Sequence, residues 1–414
     1  MRSPMKMPDL ATNESEILIL RWLVPEGGKV ERGQPLLEVE TDKAIMEVES
    51  AVSGTLEEVR CRAGERVPAG RVIAVFEVEE AASAPGPPGH PVAPAAAHDR
   101  EFLLGLYERM VRIREFEDGV KILFLEGTMP GTIHQCQGQE ATAVGVCAAL
   151  RADDFITSTF RGHGHALAKG LSMGELLDEL FGARTGCCRG KGGSMHVGNM
   201  DRGMVPGIAI VGGGIPVAAG MALAFKMGKA DKVVACFFGD GAVAEGAFHE
   251  GINMAAIWSL PVVFACENNL YGASTHVSKV MRDTNIAHRV GSYGIRSERV
   301  DGNDVLAVHE AARAAVAECR AGRGPAFLEL LTYRRTGHSR RDPCNYQPKE
   351  ERESWAAKDP IGRFAAVLEG RGIVDGAGLE AIRARVLDEF ARAVEDARRA
   401  PSPDPDELTR DVFA

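Results

Sequence analysis

The chain has 414 residues, 45% hydrophobic and 26% charged, with a formal net charge of −10. That length allows two or three folded domains of ordinary soluble composition, and the acidic balance argues against a nucleic-acid footprint. Nine cysteines without a repeated CxxC frame read as reduced thiols of a cytoplasmic protein rather than a disulfide framework.

Met1 to Leu10 lacks the apolar core of a signal peptide. Residues 1–80 carry an internal repeat. Gly27, Val30, Gly33 and the run Pro35-Leu36-Leu37-Glu38-Val39-Glu40 are echoed 37 positions later by Gly64, Val67, Gly70 and Val72 to Glu77. Short alternating runs between Gly and Pro turns predict two similar β-halves. Between them lies Asp42-Lys43-Ala44, which places Lys43 on an exposed hairpin tip. Sixteen acidic against ten basic side chains make this unit acidic, suited to docking on basic rims. Residues 81–99 read as a linker. Positions 81–97 hold five prolines and no Asp, Glu, Lys or Arg, a semi-rigid spacer of roughly 50 Å at ~3.1 Å per residue.

The remainder, 100–414, is the catalytic body. Phe102 to Asp118 has helical spacing. Thr132-Ile133-His134-Gln135, Gly138-Gln139-Glu140-Ala141 and Thr157-Ser158-Thr159-Phe160-Arg161-Gly162-His163-Gly164-His165 follow. Ten glycines between 186 and 214 predict loops wrapped around a ligand. Gly207 to Phe225 is uncharged and reads as a buried loop plus helix rather than a membrane span.

Val233 to Phe238 reads as a buried strand, Ala242 to Trp258 as a helix, and Pro261 to Cys266 as a second strand, together a βαβ unit. Asp240 and Asn269 fall at the carboxyl ends of its strands, where such units place ligands. A carboxylate and an amide oxygen suit Mg²⁺. Gly239 and Gly241 allow a phosphate to approach the backbone. Pro325 to Thr332 is another strand, followed by Tyr333-Arg334-Arg335-Thr336-Gly337-His338-Ser339-Arg340-Arg341. Leu379, Ile382, Val386, Phe390 and Val394 form the core stripe of a terminal helix.

Gly239-Asp240-Gly241, then 26 residues, then Asn268-Asn269 resembles the thiamine-diphosphate signature. The resemblance implies Mg²⁺ held by Asp240, Asn269 and the backbone carbonyl of Tyr271. Residues 1–80 resemble a lipoyl domain, which implies lipoate on Lys43. Residues 100–414 resemble the alpha subunit of the decarboxylating component of 2-oxo acid dehydrogenase complexes.

The fold implied is α/β: a thiamine-diphosphate-binding fold with a central parallel sheet flanked by helices, after a small all-β domain. The resemblance implies diphosphate contacts from Gly239, Gly241, Ala242, Arg161, Arg334 and His338. It sets Ile210 and Val211 against the aminopyrimidine, and His134 and His338 beside the thiazolium carbon. His163, His165 and His196 are expected to order loops. Arg335, Thr336, Arg340 and Arg341 are expected on a solvated rim. Phe160 stands where pyruvate-type relatives have tyrosine, and Ala209 where glycine is frequent.

The aminopyrimidine-activating glutamate of this superfamily sits on a second domain, for which 100–414 has no room. A beta subunit, in an α₂β₂ assembly, is implied as its source, with a lipoyl acyltransferase component as a further partner. The reaction expected is oxidative decarboxylation of a 2-oxo acid, pyruvate first, with reductive acylation of lipoyl. Acetoin cleavage is the alternative, since Thr157 to His165 looks closer to acetoin dehydrogenase alpha subunits. A lipoyl carrier with an inactive body is the third reading.

Overall fold

A computed structural model describes residues 2–7, 16–30, 34–40, 45–50, 52–68, 70–77 and 98–410. The chain forms two compact units, Met1–Pro91 and Val92–Ala414. Lys43 and linker positions 81–97 lie outside the described residues.

The first unit contains β1 (Arg2–Lys6), β2 (Ile17–Trp22), β3 (Lys29–Val30), β4 (Pro35–Glu40), β5 (Ile45–Glu49), β6 (Gly54–Val59), β7 (Arg66–Val67) and β8 (Val72–Glu77). They make two antiparallel sheets, ordered β1-β8-β6-β3 and β5-β4-β2-β7. The repeat is visible strand by strand: β2, β3 and β4 start at 17, 29 and 35, and β6, β7 and β8 at 54, 66 and 72. Each half lends its two-residue strand to the other's sheet, β3 pairing with β6 and β7 with β2. Ile17, Ile19, Leu36, Ile73 and Phe76, from both halves, therefore share one core. Glu40 pairs with Ile45 across β4 and β5, so the segment holding Lys43 joins these two strand ends.

The second unit runs α1 (Arg100–Leu125), α2 (Glu140–Ala148), β9 (Phe155–Thr157), α3 (His163–Lys169), α4 (Met173–Leu180), α5 (Gly214–Met227), β10 (Val234–Gly239), α6 (Gly246–Ile257) and β11 (Val262–Asn268). Then come β12 (Tyr271–Gly272), β13 (Thr275–His276), α7 (Ile286–Val290), β14 (Arg296–Asp301), α8 (Val305–Arg320), β15 (Ala326–Leu331), α9 (Lys349–Ala356), α10 (Pro360–Gly370) and α11 (Gly376–Ala397). Five strands form a parallel sheet, ordered β14-β15-β11-β10-β9.

Side chains alternate across a strand, and here both faces are covered. Val234, Cys236 and Phe238 pack with residues of α5, α6 and α7, while Ala235 and Phe237 pack with residues of α1, α2, α8 and α11. That is why these strands read as unbroken apolar runs. The predicted stripe of α11 buries Leu379, Ile382, Val386 and Val394. Phe390 meets the Phe116 ring edge-on at 6.0 Å. No helix among the described residues is long and apolar enough to cross a membrane.

Two expectations change. Ala242 to Trp258 is not one helix: a 3₁₀ turn spans Asp240–Ala244, Glu245 is extended at ψ 145°, and α6 begins at Gly246. The extended residue separates the ligand-facing turn from the helix that packs on the sheet. Gly207 to Phe225 is only half buried. Ile215, Ala218, Ala219 and Ala222 face the core, whereas Ile210, Val211 and Val217 are exposed. A single helix buries one stripe on a sheet and leaves the rest uncovered.

Candidate functional site

The turns after β10 and β11 open on a cavity of about 380 Å³. Its walls include Gly239, Asp240, Gly241 and Ala242 from the first turn, and Asn269 and Tyr271 from the second. Arg161, Ile210, Val211, Arg334 and His338 complete the set brought together from distant stretches. The sheet explains the convergence, since parallel β10 and β11 end side by side, Gly239 opposite Glu267.

Asp240 is buried, and its Oδ1 has no hydrogen-bond partner. Burial raises its carboxyl to about 6. Asn269 Nδ2 donates to Gln139 Oε1 at 3.3 Å, and Asn269 Oδ1 accepts from the Tyr271 N–H at 3.2 Å. Gln139 thereby fixes the amide's orientation, and Oδ1 keeps a second lone pair. An orphaned carboxylate oxygen beside an oriented amide oxygen is a donor set that fits a hard dication. The Tyr271 hydroxyl points elsewhere, donating to Glu351 at 2.8 Å, which leaves only its backbone for the expected role. A Cβ on Gly241 would come within 3.2 Å of Gly272 Cα, so the two turns touch through glycine.

Two guanidiniums supply the opposite charge. Arg161 donates to the carbonyls of Gln135 at 2.6 Å and His338 at 3.0 Å. Arg334, 1% exposed, donates to the Thr336 and Ala273 carbonyls and the Tyr346 hydroxyl. Among the described residues neither has a carboxylate partner. Burial, and then the neighbouring Arg334, lowers Arg161 to about 10. Two buried cations without an anion are costly, and a diphosphate would supply the missing charge at bidentate geometry.

His338 lines the cavity, while His134 sits behind it. Their rings lie 5.3 Å apart, and Phe160 contacts both, at 4.8 Å from His134 and 5.5 Å from His338. Burial, then Arg161, lowers both imidazoles to about 4, so each is neutral at pH 7. Both Nδ1 atoms are buried without partners.

The expected loop-ordering histidines do hold loops: His196 Nδ1 pairs with the Gly207 carbonyl at 2.7 Å and His163 Nε2 with Ser194 Oγ at 2.9 Å. The rim expectation holds for Arg335 and Arg341, which are exposed. Thr336 and Arg340 are half-buried, and their Oγ1 and Nε are shielded and without partners.

Gln139, Ser158 and Glu267 were given no role from the sequence, yet all three line the cavity. Ser158 Oγ meets His165 Nδ1 at 2.8 Å, and His165 Nε2 lies 3.3 Å from Glu267. Burial would raise Glu267, but His165, Thr142 and Arg161 hold it below its usual value. The available signal was its place directly before Asn268-Asn269.

At the strand ends of this parallel α/β sheet, two buried arginines without a carboxylate partner and an aspartate with an unpartnered Oδ1 line one cavity, whose charge suits an anionic ligand. Comparison with known proteins is specific. Residues 108–406 match the family described as Dehydrogenase E1 component, and residues 3–76 the family described as Biotin-requiring enzyme. The chain is 45% identical over 314 residues to the alpha subunit of acetoin:2,6-dichlorophenolindophenol oxidoreductase from Bacillus subtilis, covering 76% of this chain and 94% of that protein. It is 40% identical over 321 residues to the pyruvate dehydrogenase E1 component subunit alpha of Porphyra purpurea, covering 75% and 93%. For the human somatic mitochondrial alpha subunit the figures are 38% over 317 residues, 76% and 80%. The chain belongs to the dehydrogenase E1 component family, among its alpha-subunit oxidoreductases, and carries a biotinyl/lipoyl-type unit ahead of the E1 body.

Proposed function

We propose that this chain is the alpha subunit of a thiamine-diphosphate- and Mg²⁺-dependent enzyme that oxidatively decarboxylates a 2-oxo acid, pyruvate, and passes the acyl group to lipoyl. The observation that carries this reading is the charge pattern of the cavity: Arg161 and Arg334 without anions, and Asp240 Oδ1 without a partner. Asp240, Asn269 and the Tyr271 carbonyl would hold Mg²⁺. Arg161, Arg334 and the backbone at Gly239, Gly241 and Ala242 would bind the diphosphate. Ile210 and Val211 would flank the aminopyrimidine. Bound thiamine diphosphate would supply a carbon nucleophile and an electron sink for the bond to CO₂. His338, with the His134 ring packed edge-on against it, would hold or move a proton at the reacting carbonyl, as a neutral imidazole can near pH 7.

A cytoplasmic α₂β₂ assembly is part of the proposal, with a beta chain supplying the activating glutamate and a lipoyl acyltransferase as partner. The exposure of Ile210, 74%, supports a second chain closing the cavity. Lipoate on Lys43 completes the set. Acetoin is the second reading, favoured by Phe160 and by the 45% identity to the Bacillus subtilis acetoin enzyme.

The test is to co-express alpha with its beta chain and assay pyruvate, acetoin and a branched 2-oxo acid. Release of CO₂ from pyruvate at ~1–10³ per second is expected. Cleavage of acetoin alone establishes the second reading. Turnover at that rate by the alpha chain alone would overturn the two-chain proposal.

A further inference from the structure

Away from the cavity, three side chains with metal-ligating atoms meet where α1 begins. His98 lies just ahead of α1, whose N-cap is Asp99. His309 and Glu310 are neighbours on α8. One ligand atom from each lies within 4.8 Å of the other two. Glu310 Oε1 stands 2.9 Å from His98 Nε2. Neither atom has a partner in hydrogen-bond geometry, and neither does His309 Nδ1. All three atoms are buried, and the His309 side chain belongs to a residue only 5% exposed.

Leaving a buried polar atom unpaired costs about 1–3 kcal/mol. An ion pair between His98 and Glu310 would account for two of these atoms and leave His309 Nδ1 orphaned. The surroundings orient all three donors. Phe102 stacks on His98 at 4.8 Å and contacts His309 at 4.9 Å. Arg313 donates to Glu310 Oε2 at 2.6 and 3.1 Å, which leaves Oε1 for another partner. Holding the far oxygen of a carboxylate in this way is how proteins aim a metal ligand.

We propose that His98, His309 and Glu310 form a binding site for a divalent transition-metal ion of the zinc class. Two imidazole nitrogens and one carboxylate oxygen suit zinc, cobalt or nickel, whereas the all-oxygen set at Asp240 suits Mg²⁺. Bonds of about 2.0–2.1 Å place tetrahedral donors roughly 3.3 Å apart, so the triad needs a small contraction within its 4.8 Å span. Water takes the remaining position. The ion would pin the chain just ahead of α1 onto α8.

The test uses the full chain with Co²⁺ and Zn²⁺ in excess Mg²⁺. One equivalent of Co²⁺ should bind with the visible absorption of a four- or five-coordinate ion and no thiolate charge-transfer band, and Zn²⁺ should displace it. Zn²⁺ should raise the Tm of the wild-type chain, as ligands of the folded state do. His309→Gln and Glu310→Gln should each weaken binding by at least about 10–100-fold, with Mg²⁺-dependent thiamine-diphosphate binding unchanged. Should either variant fail to fold by circular dichroism, His98→Gln, at the end of the described chain ahead of α1, replaces it. Equal Co²⁺ binding in wild type and variants overturns the proposal. So does a thiolate band lost in Cys188→Ser, because the ion would then sit on the separate Glu179–Cys187–Cys188 cluster.

Discussion

Asp240 is the residue at which binding and stability pull apart. Its carboxyl titrates near 6 in the metal-free chain because burial penalises the charge. At neutral pH the folded chain therefore carries a penalised anion, and that stability is recovered as pH falls through about 6. Asp240→Asn should remove the charge, keep the shape and stabilise the metal-free chain by roughly 1–3 kcal/mol. It should also abolish Mg²⁺–thiamine-diphosphate binding. A lower melting temperature in the variant, or calorimetry with unchanged affinity, would count against this account. His134 and His338 give a second expectation. Both imidazoles are lowered to about 4, by burial first and then by Arg161. The unfolded chain takes up protons below its ordinary histidine value, and the folded chain does so only near 4. Stability contributed by the neutral rings is thus present above about 6.5 and lost as pH falls from there toward 4. In denaturant titrations across that window, His338→Gln should flatten the decline relative to wild type; an unchanged slope would refute the assignment. Bound diphosphate would offset the arginine field and flatten it as well. Asp240, Asn269, Arg161 and Arg334 were legible in the sequence because each follows a strand end or sits within a dense motif. Gln139, Ser158 and Glu267 were not, since their positions on the wall follow from how α2 packs on α3 and α8 and how β9 and β11 flank β10. The sequence carries no period that reports such packing. His134 was legible as a member of the site but not its depth behind His338 and Phe160.

At the scale of elements, the β-halves and three of the five parallel strands follow from pattern alone, whereas the short β9 and the charged β14 carry no such run. The 37-residue repeat marks β2 to β4 and β6 to β8, and the unbroken apolar runs mark β10, β11 and β15. What pattern could not give was the break at Glu245 or the uncovered face of α5, since local spacing does not say which stripe meets a neighbour. The contact between α5 and α6 shows how the site depends on that packing. A Cβ on Gly251 of α6 would lie 2.8 Å from Ile215 Cγ2 and 3.1 Å from the Pro216 backbone N. Backbone cannot swing aside as a side-chain tip can, so Gly251→Val should force α5 outward. The expected cost is about 1–3 kcal/mol of overpacking. Because Gly212 and Gly214, at the start of α5, line the cavity, cofactor affinity should fall with it. Scanning calorimetry and cofactor titration on one sample check both. Full affinity in a variant that has lost stability would show that the α5 loop is positioned independently of α6.

For the whole molecule, the arrangement to explain is a biotinyl/lipoyl-type unit fused ahead of an E1 body. The strand pairing of Glu40 with Ile45 brackets the segment containing Lys43. Ile45 and Met46 beside it are exposed. Lipoate on Lys43 would make each alpha chain carry its own acyl acceptor. A linker of this composition would span roughly 50 Å when extended, and a tether of that kind would hold the carrier at about millimolar local concentration. Acyl transfer to Lys43 would then be intramolecular within the alpha–beta assembly, so its rate should be first-order and unaffected by diluting the enzyme. Removing residues 1–97 should leave cofactor binding and CO₂ release to an artificial electron acceptor intact, while reductive acylation within the assembly disappears. Lys43→Arg should reproduce that loss with the unit still folded, which separates modification from mere presence of the domain. An intact mass with no lipoyl increment after expression in a lipoylation-competent host would remove the acceptor. Acylation that slows in proportion to dilution would show that the acceptor belongs to another molecule.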